Sequence, residues 1–339
     1  SNLYVDDSAS KTIGLGDRYK IVTPSNVWFQ GGGDRVTIGP TTSAGTGSIA
    51  IGGGTMTSSN SIGIGWSLGI VTEGSVHIGY NARSGGSSEN VVSIGRNSKA
   101  GVDCISIGSN AGTLTNQFAI SIGEESGAIS QGIRSVAIGT QAGRINQQLN
   151  CVAIGYLAGQ SNQIQDSVAV GAFCGESNQA GQCIAMGVFA GEKEQGGQGG
   201  QSISIGRFAG QNYQNTNSIA FGNEAAVQSQ NAYSIAIGTR AGRNYQNTNA
   251  IAIGADAGYE SQNANSIAIG YRAAQFHQKN ISIAIGDFAG YDTQGALSVA
   301  IGHRCGEDSQ GAQALAIGVG AGQSSQGAAT IGIGSFAGF

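Results

Sequence analysis

The hydrophobic positions of this chain come in pairs. In "SIAIGDFAGYDTQGAL", residues 282 to 297, Ile283 and Ile285 alternate with Ser282 and Ala284, and Gly286 closes the run. Alternation with a period of two in β-branched residues predicts a short strand, and a glycine so soon after it would break a helix within one turn. The rest of the stretch holds Gly290, a polar run, then Gln294 and Gly295. This is turn chemistry and predicts a turn, a short return strand and a second turn.

The pattern then repeats. Closing glycines stand at 39, 52, 65, 79, 95, 108, 123, 139, 155, 171, 187, 206, 222, 238, 254, 270, 286, 302, 318 and 334, which makes twenty copies. Spacing varies between 13 and 16 up to Gly123 and is then 16, except for one step of 19 where "GGQGGQ" is inserted. A short fixed period is the signature of a solenoid, in which no unit can bury its apolar face alone. Sixteen residues suffice for two strands and two turns. The expected fold is therefore all-β, a parallel solenoid of about 20 coils stacked ~4.8 Å apart.

Each strand has two unlike faces. Three and one residues before the closing glycine the side chains are Val, Ile or Leu almost throughout, with Met186 and Phe221 as variants. These are expected to fill the coil interior. Four and two residues before it the side chains are small, as at Ser234, Ala236, Ala252, Ser266, Ala268, Ser282 and Ala284. Such a face could pack against another sheet or lie exposed, and the rarity of long uncharged exposed strands favours packing, which makes this column the candidate subunit interface.

Eight residues after the glycine there is Gln in thirteen consecutive units, including Gln214, Gln230, Gln246, Gln262, Gln278, Gln294 and Gln310. A turn residue could as well be Asn, Asp or Ser. Stacked amides can donate to and accept from the next coil, so a ladder is the expected reason for the uniformity.

Composition excludes several classes. With 59 Gly but only 2 Pro and no glycine at every third position, the chain is not collagen. A formal charge of −4 without a dense Lys/Arg cluster gives no footprint for nucleic acid. No apolar run reaches the ~18 residues of a membrane-spanning helix, so direct membrane insertion is not expected. The five cysteines occupy small-residue columns, Cys104, Cys151 and Cys183 in one and Cys174 and Cys305 in another, with neither disulfide nor zinc spacing. His77, His277 and His303 lie in different columns, and serine has no positioned base. No catalytic, metal or cofactor-binding residue is assigned, and the chain is not expected to be an enzyme.

"NSIAIG" at 265, its variant with Phe221 at 217, "SVAIG" at 135 and 298 and "SIGIG" at 61 resemble the head repeats of trimeric autotransporter adhesins, the YadA-like family. The resemblance covers roughly residues 36 to 339. It implies a left-handed parallel β-roll, three chains about one axis, and an adhesive outer surface. Those heads use about fourteen residues per coil, whereas most coils here use sixteen. Similar arrays are also found in viral and phage fibres.

The expected organisation is an N-terminal cap or attachment segment over residues 1 to 35, rich in charge and aromatics, followed by the β-roll over 36–339. Its coils are irregular over 36–123 and regular over 124–339. The expected function is a rigid homotrimeric fibre segment and adhesive head, extracellular at a cell or virion surface. The alternatives are a viral or phage spacer without its own receptor site and, further off, a carbohydrate-active β-helix enzyme. A host glycan or protein receptor would meet the variable turn residues, for which Arg207, Phe208, Tyr213, Arg240, Arg243 and Tyr245 form the candidate stripe. Ordinary solvated turn positions are the alternative for these six.

Overall fold

The computed structural model describes residues 36–38, 42–84, 89–112 and 117–338. The segment assigned above as a cap, 1–35, lies outside them. Twenty strands, from Val36–Ile38 to Ile331–Ile333, stack in one parallel sheet. Among the described residues every strand pairing is parallel and joins successive coils, and register is kept rung by rung, as in Ile235 opposite Ile251 and Ala236 opposite Ala252. The protein is thus an all-β parallel solenoid. At the spacing of paired strands, twenty rungs make a stack roughly 90 Å long.

Each strand is only three residues long in the regular coils, because the closing glycine turns the chain. Gly254 has φ 125°, and a Cβ there would lie 2.5 Å from the carbonyl oxygen of Gly270 in the next coil. Both the backbone angle and the close approach of neighbouring coils therefore require glycine. The return half pairs less regularly. In the regular coils it forms a three-stranded sheet from Asn212–Gln214, Gln228–Gln230 and Asn244–Gln246, a two-stranded one from Thr293–Gln294 and Ser309–Gln310, and single bridges such as Ile129 to Ile145; in the early coils Thr55–Thr57 pairs with Gly69–Val71 and Arg83–Ser84 with Lys99–Ala100.

The interior is the reverse of the sequence expectation. The small column lines it: Ser234, Ala236, Ala252, Ser266, Ala268, Ser282 and Ala284 are all 0% exposed within one chain. They cannot form a subunit interface, because their own coil covers them. Valine and isoleucine, expected inside, point outward. The cause is thickness. In the regular coils the strand and the return half lie so close that the lumen holds almost only Ala, Ser and Cys from the walls and one Gln per coil; the second wall supplies Ala142, Ala158, Ala241 and Ala289, also fully buried. Gly258 shows how tight the fit is, since a Cβ there would meet Gln262 Oε1 at 2.8 Å.

The glutamines hold the two walls together. Gln246 Nε2 donates to Ile235 O at 2.7 Å across the lumen, to Ala250 O at 3.1 Å and to Gln262 Oε1 in the next coil at 3.1 Å. Two N–H groups serve three acceptors, so the bonds are shared. A buried primary amide costs little when its hydrogen bonds are met, and here both N–H groups find acceptors in the wall and in the next amide.

Candidate functional site

With the interior closed by small side chains, the surfaces open to contact are the outer columns. The most extensive of these is aliphatic. The residues three and one before each closing glycine alternate outward along the sheet and are half-buried to exposed in the single chain: Ile154 is 37% exposed, Met186 42% and Phe221 50%. The partners in the register, such as Val152, Val168 and Ile184, continue the same face. The result is a stripe two side chains wide that runs the length of the stack.

Beside the stripe, an edge column two residues past the closing glycine adopts left-handed backbone. Phe173, Phe189, Phe208, Arg240, Asp256, Arg272 and Phe288 have φ between 53° and 59°. That conformation is costly for these residue types and is held by the coil on both sides. Stacking in register brings like side chains together. Phe173 and Phe189 stack at 4.7 Å, Phe189 and Phe208 at 5.1 Å, and Tyr156 meets Phe173 edge-on at 5.2 Å. Farther along, Asp256, 3% exposed, pairs with Arg240 at 2.7 Å and with Arg272 at 3.9 Å. Arg272 also lies over Tyr271 at 5.1 Å and Phe288 at 5.5 Å.

These contacts divide the six residues expected to form one receptor stripe. Phe208 is committed to the ring stack, with the Arg207 guanidinium 4.2 Å above it. Arg240 is paired with Asp256, and Arg243 donates to Glu224 at 3.2 Å and to the Tyr259 hydroxyl at 3.1 Å. Tyr213 and Tyr245 are 54% and 56% exposed on the return side, two rungs apart, with Ser229 between them. The geometry therefore gives a packed edge of Arg207, Phe208, Arg240 and Arg243 and a separate pair of exposed tyrosines.

The glutamine column runs through the coils, and its bonds join Gln214 to Gln230, Gln230 to Gln246, Gln246 to Gln262, Gln278 to Gln294 and Gln294 to Gln310 at 3.1 to 3.2 Å. Asparagines add outer ladders that the sequence reading did not single out. Asn215, Asn231, Asn247 and Asn263 are linked in series at 2.9 to 3.1 Å. Their constant place one residue after Gln was the available signal.

The buried thiols are chemically quiet. Burial pushes the Cys174 pKa up to about 12 and raises those of Cys104, Cys151, Cys183 and Cys305, so the nucleophilic thiolate is suppressed. Among the described residues no group of three His, Cys, Asp or Glu side chains is placed to hold a metal ion.

Fold and surface together define a β-solenoid repeat protein with an uninterrupted aliphatic outer face. No protein-family model matches the chain, and no curated protein matches it significantly.

Proposed function

We propose that the chain is a rigid, self-associating fibre segment that projects from a cell or virion surface and mediates attachment, with three copies packed through their aliphatic stripes. The observation that carries this reading is the stripe itself. Half-exposed Val and Ile on twenty successive rungs form a contiguous apolar surface far larger than a monomer leaves open to water. A partner able to cover it must repeat at the rung spacing over the same length, and another copy of this chain does so. Copies in register would bury the stripe as one extended core, leaving the edge column and Tyr213 and Tyr245 outermost. The number three comes from the resemblance to trimeric adhesin heads. Attachment to a glycan or protein receptor through the outer tyrosines rests on their exposure and on repetition across copies, which turns weak contacts into avidity.

Light scattering tests the assembly. The expected mass is three times 34.0 kDa; a stable monomer at high concentration would overturn self-association through the stripe, and a dimer would overturn the count. Cell-binding and glycan-array assays comparing wild type with Tyr213→Ala/Tyr245→Ala test adhesion. Unchanged binding by an assembled variant would leave the segment as a spacer.

A further inference from the structure

We propose that the regular part of the rod is divided by an internal joint between Gln195 and Gln214, so that residues 123–195 and 206–338 open as separate cooperative blocks. Three observations meet at this one rung, and their coincidence marks it: Gln262 also makes no bond to Gln278, but there the coil length stays at sixteen and the apolar lining runs on from Ala257 through Ala268 to Ala273. The glutamine ladder is continuous from Gln147 through Gln163 and Gln179 to Gln195, and resumes from Gln214 to Gln230. Between the two runs, Gln195 Nε2 donates to Ile184 O and Ser202 O and makes no bond to Gln214. The carbonyl that should receive it is taken by the Ser204 hydroxyl, which donates to Gln214 Oε1.

The apolar lining is interrupted at the same place. One cluster of contacting buried residues ends at Ala185 and Ala190, and the next begins at Ala209 and Ala220. Ser204 stands in the gap, where the adjoining coils have Ala185 and Ala220. The three extra residues of the "GGQGGQ" step also fall here. They form a closed loop, with Gly200 N donating to Gly196 O at 2.8 Å and Gly199 N to Thr216 Oγ1 at 3.1 Å.

The main-chain ladder nevertheless passes through unbroken, with Ile184 opposite Ile203 and Met186 opposite Ile205. The shape of the rod is thus kept while the side-chain coupling between neighbouring coils is lost. In a solenoid, cooperativity is the sum of such nearest-neighbour terms, so a weakened interface is where opening stops. In a fibre under load, the joint would confine yielding to one block.

The rule behind the joint is local. Ser121, in the same column, also donates to the glutamine carbonyl of its own coil, Gln131 Oε1. A serine two residues before the closing glycine thus donates to the glutamine carbonyl of its own coil, and at Ser204 that carbonyl is the one the Gln195 amide would otherwise meet. Hydrogen exchange of the whole chain, followed by mass spectrometry, tests this. Wild type should show a step in protection within 196–205, with roughly tenfold different exchange on its two sides, the effect of about one lost hydrogen-bond coupling. Ala252→Ser should create a second step between Gln246 and Gln262, and Ser204→Ala combined with deletion of residues 196–198 should remove the first. Serine already occupies this column at Ser93 and Ser106, so the Ala252→Ser coil is expected to fold. Uniform protection across 196–205 in wild type, or no new step in the Ala252→Ser protein, would overturn the joint.

Discussion

The coils before Gly123 and those after it build the same sheet around different fillings. In the regular part, sixteen residues enclose two small columns and one glutamine. In the irregular part, coils of thirteen to sixteen residues have no glutamine in that column, and methyl groups take its place. Thr55, Leu68, Val71 and Ala82 are buried there, and at Gly63 a Cβ would lie 2.7 Å from Thr55 Cγ2 and 2.9 Å from Val71 Cγ2. Yet the strand register runs on across the boundary, Ile105 opposite Ile120 and Ile120 opposite Val136. The lesson is that the rung is set by the three-residue strand and its glycine. The rest of the coil decides what the lumen holds, and that choice decides how each region fails.

The largest expected effect separates the two strand faces. Ala268→Arg would force a cation into a lumen where Ala268 is fully buried, costing several kcal/mol and unfolding its coil. Ile269→Arg, one residue on but pointing outward, should leave the isolated coil folded and disrupt assembly instead. Circular dichroism and light scattering on the two variants read the two outcomes, and the reverse assignment would mean that the faces are exchanged.

Next comes a pH effect confined to the irregular part. His77 is fully buried between Gly63 and Ser93, neither ring nitrogen makes a well-formed hydrogen bond, and no charged residue is opposite it in the sheet. Burial holds its pKa down at about 4, only partly opposed by the Ala82 main chain. The sign follows: the unfolded chain, with a pKa near 6.5, takes up the proton first, so stability falls as pH drops from about 6.5 to 4 and the loss is complete below that. The loss is at most about 3 kcal/mol. Exchange in residues 62–94 should accelerate over that range while residues 214–262 stay protected, and His77→Ser should abolish the acceleration. Equal sensitivity in both regions would remove His77 as the cause.

How much of this could be read from residues alone divides along the same line. Period, strand, closing glycine and glutamine column were legible because each is a repeated demand on one side-chain type. Which strand face points inward was not. Alternation separates Ile283 and Ile285 from Ser282 and Ala284, but the usual inference that the bulkier pair fills the core assumes a roomy core. Ala289 and Gln294 already occupy this lumen, and the recurrence of a small residue and a Gln at these places through the regular coils was the overlooked volume argument. The division of the expected receptor stripe was hidden for another reason: Arg240 and Asp256 meet only because coils stack in register, and Phe208 joins a ring stack only because Phe189 precedes it.

A smaller effect tests the glutamine filling. Gln262→Leu removes the acceptor of Gln246 Nε2 and the donor to Ile251 O at 2.6 Å, which should cost ~1 to 3 kcal/mol. Gln278 should be indifferent, since Gln262 makes no bond to it and its Oε1 has no partner. Glu260→Leu in the same coil, in a variable column, controls for placing an apolar side chain on this turn. Equal midpoints for the two variants in urea would mean that the amides add nothing over a leucine.

The smallest effect comes from an irregularity inside the regular part. Four residues after the closing glycine most coils have a second glycine, with φ near 53° at Gly242 and Gly258, but Ala226 and Ala274 stand there with φ 48° and 46°. Left-handed backbone costs alanine roughly 1 to 2 kcal/mol, whereas glycine adopts it freely. Glycine also gives the unfolded chain more freedom, which offsets roughly 0.4 to 1 kcal/mol. Ala274→Gly should therefore stabilise its coil by only about 0.5 to 1 kcal/mol on this balance. Ala226→Gly should gain less than Ala274→Gly, because the ladder bond into Gln230 is already made at 3.1 Å whereas Gln278 Oε1 lacks one. Removing the Ala274 Cβ also frees the space in which that carbonyl could swing toward Gln262 Nε2. Matched thermal melts of the two single variants decide it: a larger gain at 226 than at 274 would show that backbone strain alone, and not the ladder, sets the value of this glycine.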